Sequence, residues 1–367
     1  MSEFVTVGII GCGKISGIYL RNAPHFPHVK VVACADVDVE RARNVADEAG
    51  LQAMSVEDLL ASEVDVVLNL TPPEFHTEIN RRILEAGKHA YCEKPLAIDL
   101  EDGKATVALA KEKNLHVCCA PDTVLGAGIT TARRALDEGW IGEPVGGSAF
   151  MLSHGPEGWH PNPGFYYQKG GGPLFDMGPY YLTTLFHLLG PVRRVQAIAR
   201  RMNKTRTATS PELFGKKLPV DVETSYCGTL QFAGGAIVTA NFSFDVWGHR
   251  HAPIEIYGRE GSLGVPDPNT FGGAVRLFRP EDRNDREWKE LPLQTRYIEN
   301  SRFLGVADLA AAILEGRTPR ANGEIGLHVL EVMCAYGTSS ESGMAIEIET
   351  CPERPARMPT GRPFGMM

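Results

Sequence analysis

Residues Gly8–Gly17 read GIIGCGKISG. The stretch opens inside a short apolar run, Val5–Ile10, as a strand covered on both faces requires. It turns at Gly11-x-Gly13 and enters a helical segment, Ile15–Asn22. Two glycines between a strand and a helix allow a tight turn and close backbone approach to a pyrophosphate. The helix amino terminus attracts the negative charge. Ser16 stands where a third small residue is expected, and is small enough for tight helix packing. Glycine-rich turns are common, so the context has to carry the reading. Val29–Ala35 reads as a second strand, and Asp36 ends it 25 positions after Gly11. That separation suits an acid that hydrogen-bonds the adenosine ribose. Lys14 and Ile15 belong to the same turn and join Gly11, Gly13 and Asp36 as cofactor-binding candidates.

Asp36 also bears on the choice of dinucleotide. A carboxylate welcomes a ribose hydroxyl and repels a 2′-phosphate. No arginine adjoins it in sequence; Arg41 and Arg43 come later, on the next helix. NAD is expected in preference to NADP.

Outward from this turn, strands and helices alternate. Helical segments read at Val39–Ala49, Glu74–Ala86 and Asp99–Lys113, and strands at Val64–Leu70, His89–Cys92 and Leu115–Ala120. Ser55, with Asp58 three residues on, gives a capping-box pattern for a further short helix. Strands spaced by helices of this length form βαβ units on a parallel sheet. After Pro121 the pattern changes. Strands read at Val145–Leu152, Val192–Arg200, Thr224–Phe232, Ala236–Phe244, His251–Tyr257 and Gly261–Val265, with turns such as Ala233-Gly234-Gly235. These predict an antiparallel sheet. Helices read at Thr130–Glu138, Val306–Leu314 and Glu324–Tyr336, and a polar loop at Pro280–Lys289. The expected division is a dinucleotide-binding domain over 1–121, a substrate-binding and oligomerisation α/β domain over 122–350, and a tail over 351–367.

Bulk properties agree with two soluble domains. The chain has 367 residues, 43% hydrophobic and 22% charged. Its 37 basic and 45 acidic side chains leave a formal net charge of −8, which opposes nonspecific nucleic-acid binding. The densest basic stretch, Arg200–Arg206, reads as a solvated loop. No signal peptide or membrane-spanning run is recognised. The eight cysteines form no C-x-x-C pair, and several lie in apolar runs as small hydrophobes. A reducing cytoplasm is the expected location.

Two further clusters sit where loops line a crevice. Asn69-Leu70-Thr71-Pro72-Pro73 leaves a strand, with His76 opening a helix. Loops at the carboxyl ends of parallel strands line ligand clefts, although His76 could equally cap local structure. The run His89–Leu96 reads HAYCEKPL and leaves a strand through Glu93, Lys94 and Pro95. A solvated turn or an active site would account for it.

At this point the sequence resembles the Gfo/Idh/MocA oxidoreductases over residues 1–350. The resemblance rests on GCGKIS, ADVD at Ala35–Asp38, TPPEFH at Thr71–His76, EKPL at Glu93–Leu96 and GGPLFDMGPYY at Gly171–Tyr181, in that order. It implies a Rossmann domain joined to an α/β domain with an open, mostly antiparallel sheet, a face commonly used in oligomer contacts. It implies NAD(H) or NADP(H) and a sugar, cyclitol or related substrate. Thr71, Pro72, His76, Glu93 and Lys94 join the cofactor-binding candidates. The family lysine matching Lys94 is implicated at the reacting hydroxyl or carbonyl oxygen. Free lysine has a pKa near 10.4, and partial burial together with a cationic nicotinamide would lower it.

In Gly170–Phe186, Pro179 is tolerated in a first helical turn, so a helix is expected to begin near Asp176. Asp176 and Tyr180 then share one face at i and i+4. The family commonly has histidine where this chain has Tyr180. Tyrosine does not titrate near neutrality, but it can donate a hydrogen bond to the reacting oxygen, or simply pack. The catalytic candidates are Lys94, Asp176 and Tyr180. The same three, with Asp122, His154, Trp159 and Tyr167, are the substrate-binding candidates. The run SHGPEGWHPNPGFYY suits sugar binding by ring faces and polar groups, or an ordered surface loop. No metal is assigned, because His154 and His160 lack a recognised ligand spacing.

The expected function is NAD-dependent hydride transfer between nicotinamide and a secondary alcohol or ketone of a sugar, cyclitol or related polyol. The alternatives are a redox-neutral glycoside-processing cycle with retained NAD, and a noncatalytic nucleotide-sensing or assembly protein. A homodimer or homotetramer is expected, with no nucleic-acid or membrane partner.

Overall fold

The computed structural model describes residues 4–284 and 286–367. Met1–Glu3, at the start of the leader reading, and Asp285, in the predicted 280–289 loop, lie outside the described residues.

The chain divides into two compact units: 1–127 with 294–330 and 355–367, and 128–293 with 331–354. The linear reading placed 294–330 in the second domain and separated the tail 351–367; by packing, 294–330 and 355–367 fall in the first unit.

The first unit carries six strands: β1 Val5–Ile10, β2 Val29–Ala35, β3 Gln52–Met54, β4 Val66–Asn69, β5 His89–Cys92 and β6 Val117–Cys119. They form one parallel sheet in the order β3-β2-β1-β4-β5-β6. Helices α1 Ser16–Asn22, α2 Val39–Ala49, α3 Val56–Ala61, α4 His76–Glu85 and α5 Leu100–Glu112 connect them. All four β4 residues are buried, which accounts for the apolar Val66-Val67-Leu68 run. Ser55 accepts from the Asp58 N–H at 3.0 Å and donates to its carboxylate, as the capping pattern predicts. Strand β3 was not read from the sequence, because it is three residues long and none of its side chains is buried.

The second unit is built on α6 Ala127–Asp137, β7 Pro144–Leu152, α7 Gly172–Leu189, β8 Val192–Arg200, β9 Thr205–Thr207, β10 Lys217–Pro219, β11 Ser225–Phe232, β12 Ile237–Ser243, β13 Ile254–Gly258, β14 Ser262–Val265, β15 Val275–Phe278 and β16 Lys289–Leu291. The remaining elements are α8 Leu304–Glu315, α9 Gly323–Ser342 and β17 Ile346–Glu347. The nine-stranded sheet runs β16-β15-β14-β13-β7-β12-β11-β8-β17. It is antiparallel except for the β7–β12 pair. The turn after β11 has the predicted glycine chemistry, with Gly235 at φ +93°.

On β7, β11 and β12 alternate residues point into the core; Ala149, Leu230, Val238 and Phe242 are buried. Helix α7 begins at Gly172, so Pro179 lies inside it and Asp176 is in its second turn, not at its start. The correction follows from Pro173 at the second helical position, where a missing N–H costs nothing.

The tail does more than end the chain. Phe364 packs against His25, Phe26 and Tyr297 at centroid separations of 5.4, 6.3 and 5.0 Å. Among the described residues, no helix is long and apolar enough to cross a membrane.

Candidate active site

Strand order reverses between β1 and β4, and the loops leaving these strands meet at the sheet's carboxyl edge. Gly11 has φ +103°, and a Cβ there would lie 2.7 Å from the Leu70 carbonyl carbon. Only glycine fits. Gly13 differs: a Cβ would meet nothing within 4 Å. The turn is therefore closed against the neighbouring loop at Gly11 and open at Gly13, as a backbone cradle for a pyrophosphate must be. Ser16 Oγ donates to the Gly13 carbonyl at 2.8 Å and braces the turn. Lys14 is exposed, and Ile15 precedes α1 without a capping side chain.

Asp36 is 9% exposed. Its carboxylate accepts from the Cys12 N–H at 2.8 Å and the Asp38 N–H at 2.9 Å. One acid thus links the glycine turn to the end of β2. Arg41 stands beside it after all, with Nη1 3.4 Å from Asp36 Oδ1 and Nη2 3.2 Å from Asp38 Oδ2. Five residues of separation become contact because α2 starts between them, and Asp38 caps it by accepting from the Arg41 N–H.

The two remaining loops are tied together by His76. Its ring is fully buried, with Nδ1 2.7 Å from the Pro95 carbonyl and Nε2 2.8 Å from the Thr71 carbonyl. Burial lowers the imidazole pKa, opposed by those two carbonyls. A neutral ring donates to one of them. Thr71 Oγ1 donates to Asn69 Oδ1 at 2.7 Å, and Pro72 is exposed. Of the two readings left open for His76, local bracing is the one its contacts display: it joins the exit of β4 to the exit of β5.

Glu93 is engaged through both carboxylate oxygens. Oε1 accepts from the Tyr19 hydroxyl at 2.7 Å and Oε2 from the Lys94 N–H at 3.0 Å. Its own N–H donates to the Asn69 carbonyl at 3.0 Å. Lys94 is half-buried on this turn, and the Lys94–Pro95 peptide is cis. Its charge acts on His76, in the sense that lowers the ring's pKa.

Asp122 is buried at 1% exposure, and its Oδ2 accepts from the Phe303 and Gly305 N–H groups at 3.1 and 3.0 Å. It therefore closes the amino end of α8, in a first-unit position that the sequence reading treated as substrate-facing. Burial raises its pKa to about 6 against the lowering effect of those donors. The neighbouring Thr123 hydroxyl is buried without a partner among the described residues.

In the second unit, Asp176 and Tyr180 do lie one helical turn apart on α7. Asp176 is half-buried and Tyr180 is 7% exposed. The 154–167 segment is ordered by turns at Pro156–Gly158 and Pro163–Tyr167. Tyr167 is fully buried and donates to Glu157, whereas Trp159 is 67% exposed beside Tyr166 and His160. The His154 ring stacks on Trp247 at 3.3 Å between centroids.

Sequence reading missed Arg206, which lies on β9 and is not a loop residue in solvent. It donates to Glu157 Oε1 and Asp245 Oδ1 at 2.7 Å each, and to the Phe244 carbonyl at 2.9 Å. Its partners lie 49 and 39 positions away, beyond the reach of any local pattern. Tyr19 was missed too: in sequence it is one more apolar helix residue.

Residues 5–120 match the oxidoreductase family with NAD-binding Rossmann fold, and residues 129–264 the GFO/IDH/MocA C-terminal domain. The chain belongs to the Gfo/Idh/MocA oxidoreductases. It is similar to the 1,5-anhydro-D-fructose reductase of Ensifer adhaerens, 29% identical over 356 residues that cover 94% of this chain and 98% of that one. It is also similar to the scyllo-inositol 2-dehydrogenase (NAD(+)) of Bacillus subtilis (strain 168), 26% identical over 365 residues with 95% and 98% covered. Its fold matches the crystal structure of an NAD binding oxidoreductase from Klebsiella pneumoniae with a TM-score of 0.81 at 24% identity, over 95% of this chain and 99% of that one.

Proposed function

We propose that this protein is an NAD-dependent dehydrogenase or reductase that transfers a hydride between nicotinamide and a secondary alcohol or ketone of a sugar or cyclitol. The observation that carries the reading is the Lys94 turn. It leaves β5 at the carboxyl edge of the dinucleotide-binding sheet, held at Glu93 by Tyr19 and Asn69 and at Pro95 by His76. Gly11, Gly13 and Asp36 would hold the dinucleotide, with Thr71 and Pro72 on the next loop. The bound nicotinamide supplies the hydride acceptor or donor.

Lys94 holds the reacting oxygen and manages its proton. A charged group placed where oxygen gains or loses charge stabilises the transition state, and its orientation beforehand removes the need for reorganisation. Asp176 and Tyr180, one turn apart on α7, bind substrate hydroxyls. Trp159 offers an exposed ring face to a pyranose or cyclitol ring. NAD is preferred, because Asp36 accepts ribose hydroxyls and Arg41 is already paired with Asp36 and Asp38.

The test incubates purified protein with NAD, NADP or their reduced forms against 1,5-anhydro-D-fructose, scyllo-inositol, aldoses, uronates and glycosides. Nicotinamide absorbance reads net hydride transfer. Mass spectrometry of the sugars reads a redox-neutral cycle. A member of this panel that changes the nicotinamide absorbance supports the reading. Altered sugar without net absorbance change favours retained NAD, and no chemistry with either readout overturns the proposal.

A further inference from the structure

Tyr19 lies on α1, directly after the glycine turn, and its side chain is fully buried. It reaches across 74 positions to donate to Glu93 Oε1 at 2.7 Å. The second oxygen of that carboxylate takes the backbone N–H of the next residue, Lys94, at 3.0 Å. Two ends of one carboxylate therefore join a helix to the lysine's own backbone. A hydrogen bond to an ionised carboxylate is stronger than a neutral one, and no water competes at a fully buried phenol. Burial, reinforced by the Glu93 charge, pushes the phenol well above its ordinary pKa, so it stays a donor throughout the working pH range. Neither Glu93 nor Lys94 reveals this arrangement in sequence, and packing alone would be served by phenylalanine.

We propose that Tyr19 is a positioning residue for hydride transfer: through Glu93 it fixes the Lys94 backbone, so that the helix following the dinucleotide turn sets the place of the reacting lysine. The inference rests on the proposed role of Lys94. Other restraints on the turn come from different elements. The Glu93 N–H is held by Asn69 at the end of β4, and the Pro95 carbonyl by His76 of α4. With those intact, removal of one hydroxyl leaves the fold in place and frees one restraint. A reacting group displaced by about 1 Å can cost on the order of 10²-fold in rate.

The test compares wild type, Tyr19→Phe, Glu93→Gln and Lys94→Ala as full chains. The first readout needs no substrate. With ε-¹³C-labelled lysine, the Lys94 resonance is assigned by its loss in Lys94→Ala and followed in the other two variants. We expect it to move in both, while the NAD dissociation constant of Tyr19→Phe stays within about twofold of wild type. The second readout is single-turnover hydride transfer with an active substrate of the panel above. There Tyr19→Phe should be slower by about tenfold or more, with little change in KM. Glu93→Gln should lose at least as much, and the double variant no more than Glu93→Gln alone. An unmoved Lys94 resonance in Tyr19→Phe overturns the inference, even if its melting temperature falls. So does weakened NAD binding with an unmoved resonance, which makes Tyr19 a support of the dinucleotide turn. If Lys94→Ala transfers hydride at the wild-type rate, the reading of Lys94 fails instead, and the Tyr19–Lys94 link is still decided by the resonance.

Discussion

The Arg41 guanidinium lies 3.4 Å from the Asp36 carboxylate, at the end of the second strand of the dinucleotide-binding sheet. The acid that would accept a ribose hydroxyl thus carries its own cation. Arg41 stands close enough to meet a 2′-phosphate if the acid is removed. Wild type should bind NAD more tightly than NADP. Asp36→Ser should shift the ratio towards NADP by about tenfold or more, and adding Arg41→Ala should remove that shift. Fluorescence titration with both dinucleotides measures it. The ratio is the quantity to read, because Asp36 also holds the Cys12 N–H. A wild-type preference for NADP would contradict the reading.

Lys94→Ala should reduce single-turnover hydride transfer by about 10²- to 10⁴-fold while NAD binding changes little. Dinucleotide contacts spread over several loops, whereas the lysine acts at one oxygen. Tyr180→Phe keeps the ring and loses only a hydroxyl, so its cost should be smaller. Equal losses in the two variants would place Tyr180 in the same proton path.

Arg206→Met should destabilise the second unit by about 3–5 kcal/mol, because Glu157 and Asp245 are left in the interior without their cation. Arg206→Lys should recover only part, since one ammonium cannot reproduce the guanidinium's separate contacts with Glu157, Asp245 and the Phe244 carbonyl. Urea denaturation followed by intrinsic fluorescence gives both values. Wild-type stability in Arg206→Met would mean that solvent reaches the cluster.

Acid should weaken the fold partly through His89. Burial, with the neighbouring His116 charge as a second cause, lowers its pKa from 6.5 to about 4. The His116 N–H donates to His89 Nδ1 at 2.9 Å, a bond that protonation there would break. The unfolded chain takes up the proton first. His89 therefore contributes its stability fully above pH 6.5, and loses it as pH falls towards about 4. Asp122, raised from 3.8 to about 6, works in the opposite sense: its contribution is complete below 3.8 and lost as pH rises through about 6. Unfolding free energies measured from neutral pH down to pH 4 should fall less steeply in His89→Gln than in wild type, by up to about 3 kcal/mol over the range. Parallel curves would sink the assignment.

The nine-stranded sheet should be covered by a second copy of the chain. Across β8, β11, β12 and β7 the register brings Ile198, Cys227, Asn241 and Phe150 into one row on the face opposite the core. Ile198 is 76% exposed there, and Ile237, farther along β12, 54%. We expect a dimer or tetramer with closed symmetry. Light scattering at micromolar concentration that finds only a 40.0 kDa species would refute this.

Much of the first unit could be read along the chain. Apolar runs, helix stops and the capping pattern at Ser55 are local, and a strand–turn–helix written as GIIGCGKISG leaves few alternatives for the backbone. The same locality placed Asp176 and Tyr180 on one helix face, because an i,i+4 spacing means the same thing wherever that helix begins. Short strands such as β9, β10 and β17 were not legible, since three or fewer residues hold no periodicity.

Sequence by itself thus determined the family, the parallel sheet and the turn that carries Lys94, because each is written in short local motifs and in their order along the chain. Tertiary structure alone decided what the polar side chains do. It put Arg41 beside Asp36, closed α8 with Asp122, drew Arg206 into the interior and set Tyr19 against Glu93. The physical reason is desolvation. A charged or polar group removed from water must find a partner wherever the fold provides one, and that partner's position in the sequence is unconstrained.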